Sequence, residues 1–179
     1  MNRKKNRSHY SHKVMRAVLF GVVVLILLVV IVHLPPTNSV RYRGHYYRTP
    51  HPENLPKLAA LRDTATRVVA GIPWSVRRRR TLWRLGRCVF VERPPDGDYL
   101  AVTIDKGREM EICLDYTDVN ALHYVLVHEV AHMHSWSVGH TPEFHRNMSR
   151  LLESAKAQGI YTSDDTRRVV FCGSHVDLD

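Results

Sequence analysis

Acidic residues are missing from the first 40 positions, and residues 17–40 carry no charge of either sign. Cysteine is scarce: Cys88, Cys113 and Cys172 are the full set, and none stands in a CxxC or zinc-knuckle spacing. That excludes a cysteine-built zinc module. It leaves two readings open: in an oxidising compartment two of the three pair and one is left over, or all three are buried thiols. Low-complexity tracts are also lacking, and 44% hydrophobic with 24% charged residues excludes wholesale disorder and a collagen-like chain. A length of 179 residues predicts one compact domain with a tail or anchor, not two full domains.

The net charge of +9 would suggest a nucleic-acid binder if it were evenly spread. It is not. Residues 1–16 hold six basic groups and no acid, residues 41–87 hold 12 basic groups against Glu53 and Asp63, and residues 88–179 hold 8 against 15 acids. Between the first two blocks lies AVLFGVVVLILLVVIV (17–32), extended by His33 and Leu34 to the Pro35-Pro36 stop. A run of that length and apolarity predicts a transmembrane anchor over 17–34 behind a basic tail over 1–16. The positive-inside rule then places the N-terminus in the cytoplasm and the remaining chain across a single-pass membrane, of the host or of a virion. Prolines, tyrosines and basic residues without apolar periodicity mark 35–53 as a stalk.

From 54 to 179 the pattern is that of an α+β domain. Leu58, Leu61, Ala65, Val68, Val69 and Ile72 recur at helical spacing, with Gly71 and Pro73 as the stop. RCVFVE (87–92), DYLAVTID (98–105) and EMEICLD (109–115) read as strands joined by turn chemistry, which predicts a three-stranded antiparallel meander. A largely buried helix follows from about Thr117 to His134. Another is announced by Thr141 as cap, Pro142 at the first position and Glu143 against the dipole, and Gly159 ends it. Arg168 to Phe171 reads as one more short strand. Asn147-Met148-Ser149 is a formal glycosylation sequon placed on that last helix.

The buried helix contains His128-Glu129-Val130-Ala131-His132. Residues four apart share a helical face, so both imidazoles can hold one Zn²⁺ while Glu129 stands beside it to take a proton from water. The composition alone yields roughly 0.03 such patterns per chain, so chance does not account for it. A catalytic zinc takes a third protein ligand. His140 is the first choice, with seven residues between it and His132 and a helix just after it; Glu143 is the alternative. His134 points off the shared face.

HEVAHMHSWSVGHTPEF (128–144) resembles the zinc signature of the WLM and SprT-like metallopeptidases, in which HExxH is followed by a downstream His and then an aromatic residue. With LHYVLVHEVAH ahead of it and RNMSRLLESAKAQGIY behind, it is most similar to compact WLM-like proteins encoded by large DNA viruses. The resemblance covers about residues 109–161, and the gap between His132 and His140 is longer than in typical WLM proteins. It implies a small gluzincin-like fold with zinc on His128, His132 and His140, Glu129 as the base, and a peptide or protein substrate. Two further expectations concern the surroundings. Tyr161 is a candidate oxyanion donor, with packing as its alternative. The run Arg77, Arg78, Arg79, Arg80 faces nucleic acid, an acidic membrane surface or plain solvent.

Overall fold

The computed structural model describes residues 15–26, 36–95, 99–116, 118–163 and 167–178. The chain divides into two units, Met1–Pro36 and Thr37–Asp179. In the first, a helix α1 covers 15–26. At 1.5 Å per residue its described part is about 18 Å long, against the roughly 30 Å of a bilayer's hydrocarbon layer. Among the described residues no helix is long and apolar enough to cross a membrane. The transmembrane anchor expected over 17–34, and the single-pass membrane localisation built on it, are therefore corrected. Hydropathy counted apolar residues, not the length of helix they form. Residues 27–34 and most of the basic tail lie outside the described residues.

The second unit begins with what was read as a stalk. β1 (Val40–Tyr42) and β2 (His45–Arg48) form an antiparallel hairpin turned at Arg43-Gly44, both at positive φ. Tyr47 is 1% exposed, so this segment belongs to the core. It resembled a tether because it contributes one fully buried ring, with Tyr42 partly buried against the core, and shows no apolar periodicity.

Two helices then cross over to a parallel neighbour. α2 (Leu55–Gly71) buries the expected stripe of Leu58, Leu61, Ala65, Val68 and Val69. α3 (Val76–Arg87), capped by Ser75 accepting from the Arg78 amide, is a helix that apolar periodicity did not reveal. β3 (Val89–Arg93) pairs parallel with β2, Tyr47 opposite Phe90. β4 (Ala101–Ile104) and β5 (Glu109–Cys113) form an antiparallel hairpin, but β5 lies between β3 and β4 and runs parallel to β3. The sheet is thus mixed and five-stranded, ordered β1-β2-β3-β5-β4, and the three-stranded antiparallel meander is corrected. The connection from Arg93 to Ala101 is long enough to step over one strand position, which β5 then fills. Burial agrees: Met110 and Ile112 of β5 are fully buried, whereas every residue of β4 is half-buried, as an edge demands. On the opposite face Arg48–Glu109 and Arg93–Glu111 ion pairs, at 3.0 and 2.9 Å, cross from strand to strand.

α4 (Val119–His134) packs on this sheet and on α2, with Asp118 capping it through the Asn120 and Ala121 amides. α5 (Pro142–Ala157) starts as expected: the Thr141 hydroxyl accepts from the Phe144 amide. β6 (Arg167–Phe171) and β7 (Ser174–Leu178) make a separate hairpin, tied to the end of β5 by the Cys113–Cys172 disulfide. Cys88 is the remaining thiol; burial pushes its pKa up to about 12, which leaves it unreactive.

Arg62 stands in the middle of the core at 2% exposure. Its guanidinium donates to the Tyr47 hydroxyl and to the carbonyls of Tyr46, Leu85 and Cys88, and lies over the Tyr47 and Phe90 rings. It thereby joins β2 to the end of α3. Arg62→Met keeps much of the volume but strands these acceptors, so we expect a loss of about 3 kcal/mol in urea unfolding. A loss below about 0.5 kcal/mol would show the guanidinium to be dispensable.

Candidate metal centre

His128 and His132 lie one turn apart on α4. Past the helix the chain bends through 135–141, with Gly139 at φ +78°, and returns His140 to the same spot. The three Nε2 atoms form a near-equilateral triangle, with 3.2 Å from His128 to His132, 3.0 Å from His128 to His140 and 3.2 Å from His132 to His140. Nitrogens bound tetrahedrally at about 2.0–2.1 Å from a first-row divalent ion are separated by about 3.3 Å, so the triangle has the dimensions of one face of such a site. Phe144 of α5 packs against all three rings, 4.4 Å from that of His132. Burial first, then the neighbouring imidazoles, lowers the pKa of His128 to about 4. Burial also lowers that of His132 to about 4, with His140 and Lys106 adding to it. Both rings are neutral at pH 7 and offer lone pairs to a common point. These three histidines can bind a metal ion.

Glu129 faces the same cleft of about 580 Å³, whose walls include Thr103 and Val102 of β4 and Val138 of the bend. The residue is 5% exposed, and its Oε2 has no hydrogen-bond partner among the described residues. Burial raises its pKa to about 7, against hydrogen bonds from Thr103 that lower it. An unpartnered buried carboxylate oxygen is costly unless something is meant to meet it. The Thr103 hydroxyl also donates to the Glu129 carbonyl at 3.1 Å, which seats β4 against the helix at this residue.

Glu143, the alternative ligand, is engaged elsewhere. It accepts from the amides of Trp136 and Ser137 and from the Ser137 hydroxyl, and pairs with Arg77 at 3.0 Å. The Ser137 amide and hydroxyl, then the Trp136 amide, hold its carboxyl down at about 2. Tyr161 is 1% exposed, packs on Tyr124 and is not among the residues lining the cleft. It is placed as a packing residue. His134 is buried and meets the Thr81 hydroxyl at 2.8 Å, off the metal face as expected.

The arginine run splits by face. Arg77 binds Glu143 and Asn147, Arg80 donates to the His134 carbonyl and stacks on Trp136, and Arg84 donates to the Met133 carbonyl. Arg80 and Arg84 thus meet carbonyls at the C-terminal end of α4, where the helix dipole favours positive charge, while Arg77 is tied to α5. Arg78 lies over Trp74, and Arg79 is exposed. The sequon residue Asn147 is 1% exposed and bonded to the Ser135 hydroxyl, so it is no glycan acceptor in this fold. Lys106 was not singled out by the sequence. Its ammonium reaches the carbonyls of His132, Ser135 and Ser137 from a turn in which Asp105, Lys106 and Gly107 all have positive φ. The Asp-Lys-Gly tripeptide was the available signal for that turn, but not for the reach of the lysine.

The fold and the site together define an α+β domain with a cluster of three histidines that could hold a metal ion. The chain is similar to an uncharacterized protein of Acanthamoeba polyphaga mimivirus, 31% identical over 104 residues. The match covers 54% of this chain and 53% of that protein, so the chain spans about half the length of the curated relative it matches. No protein-family model and no solved structure matches it.

Proposed function

We propose that this chain is a zinc metallopeptidase of the WLM/SprT-like kind, hydrolysing peptide bonds in the cleft between α4 and the β4 edge. The observation that carries this reading is the meeting of three imidazoles with the buried Glu129 carboxylate, whose Oε2 has no partner among the described residues, in one cleft. All-histidine ligation suits zinc, and three protein ligands leave a fourth position open, as hydrolytic sites require. Zinc held there supplies Lewis acidity, bringing water's pKa towards about 7 and polarising a carbonyl.

The chain's own residues do the rest. Glu129 has a proton affinity close to neutrality, so it can accept a proton from the attacking water and return it to the leaving amine. Burial without a local partner keeps its free oxygen directed to that task. β4, not β5, presents the free strand edge beside the metal helix, and Val102 and Thr103 line the cleft. An extended peptide can add to that edge through backbone hydrogen bonds. Within the Arg77–Arg80 run Arg77 is engaged by α5 and Arg80 by the end of α4 and Trp136, so we assign substrate recognition to β4 and not to nucleic acid held on that run.

The test is cleavage of unstructured polypeptides by the zinc-loaded full chain, followed by mass spectrometry of the products. We expect new peptide termini that vanish on chelation and return with zinc. Intact substrate across a broad peptide library, with zinc bound, would contradict the proposal.

A further inference from the structure

The segment from Ser135 to His140 has no regular secondary structure, yet its backbone is gripped from two sides. On one side Glu143, in the first turn of α5, takes the Trp136 amide on Oε1 at 3.1 Å and the Ser137 amide and hydroxyl on Oε2 at 2.9 and 2.7 Å. Arg77 from α3 closes on Oε1 at 3.0 Å, and the same arginine donates to Asn147, which holds the Ser135 hydroxyl. On the other side the Lys106 ammonium takes the carbonyls of His132, Ser135 and Ser137. Donors of the bend go to the glutamate and acceptors go to the lysine, so both halves of its polar backbone are satisfied by oppositely charged side chains.

His140 itself is exposed, and no hydrogen bond to its Nδ1 is present among the described residues. Ligand histidines are ordinarily oriented by a partner on the second ring nitrogen. Among the described residues that device is missing, and the ring is aimed by its packing against Phe144 and by the backbone that carries it, three residues beyond the clamped Ser137. We propose that Glu143 and Lys106 are positioning residues: they hold the 135–140 bend so that His140 completes the metal site. The inference rests on the three-histidine reading above and goes beyond it, because it makes the third ligand's affinity a property of two side chains that touch no metal. It also gives Glu143 a role distinct from ligation. Carboxylate chemistry is required, since glutamine would keep one acceptor oxygen but turn an N–H pair towards either the bend amides or Arg77.

The experiment compares the full chain with its Glu143→Gln, Lys106→Met and His140→Ala variants. Zinc affinity is read by competition with a chromophoric chelator, coordination by the visible spectrum of the cobalt-loaded protein, and folding by thermal unfolding of the metal-free chain. Glu143→Gln and Lys106→Met should each weaken zinc by about 10–100-fold, the range for groups that orient ligands from outside the coordination sphere. Their cobalt spectra should move towards that of His140→Ala while the metal-free unfolding temperature shifts by only a few degrees. Wild-type affinity and spectrum in both variants, with His140→Ala still impaired, would overturn the positioning role and leave the metal site standing. A larger loss in Glu143→Gln than in His140→Ala would make Glu143 a ligand and overturn the proposal as well. Wild-type binding by His140→Ala would remove the three-histidine reading itself. Should Glu143→Gln not fold, Lys106→Met decides alone.

Discussion

Glu129→Gln should lower peptide hydrolysis by at least about 100-fold while the protein retains a full complement of zinc, since a positioned general base contributes about 10²–10⁴-fold. The substitution is nearly isosteric, and Glu129 is no member of the histidine triangle. It removes the buried carboxylate whose pKa near 7 suits it to take a proton at neutral pH, because the amide has no comparable basicity. Folding should not suffer: Oε2 has no partner to lose, and burying an amide costs less than burying a carboxylate. Elemental analysis and a fluorogenic peptide assay on one preparation check both halves. A variant with wild-type zinc and wild-type turnover would mean that the metal is structural.

The second large effect belongs to His140. Its replacement by alanine should reduce zinc affinity by more than about 100-fold, beyond the 10–100-fold that follows loss of a group outside the coordination sphere. One vertex of the Nε2 triangle is lost, and nothing nearby replaces it: Glu143 is occupied by Ser137, Trp136 and Arg77, and the His145 ring is 6.4 Å from that of His140. The change should be nearly silent for stability in the absence of metal, because the imidazole is exposed. Chelator competition measures the affinity and thermal unfolding of the metal-free chain measures the rest. Equal zinc affinity in the variant would remove His140 from the site.

The metal helix was legible in the sequence because all it needs is local. Four-residue spacing puts His128 and His132 on one face, and five contiguous residues carry the chemistry. The start of α5 was legible for the same reason, with Thr141 and Pro142 adjacent to the turn they cap. Longer-range features were not. That β5 and not β4 sits inside the sheet depends on the path of the Arg93–Ala101 connection, which turn residues do not specify. α3 escaped notice because it gives the core little beyond Leu85, while Arg77, Arg80 and Arg84 beside it satisfy carbonyls and a carboxylate. The same run looked like a binding surface when only its charge was visible. Tyr47 made a stalk into a strand with one buried ring. The apolar run at 17–34 was read as an anchor from hydropathy, whereas among the described residues no helix is long and apolar enough to cross a membrane. Glu143 meets backbone amides six and seven residues upstream, a relation that no helical periodicity contains.

Zinc K-edge X-ray absorption on the full chain loaded with one equivalent of zinc tests the central claim most directly. The expected result is three imidazole nitrogens at about 2.0 Å and one further light-atom ligand from solvent, with no sulfur. A fourth protein ligand, a sulfur at about 2.3 Å, or a chain that retains no zinc would contradict it.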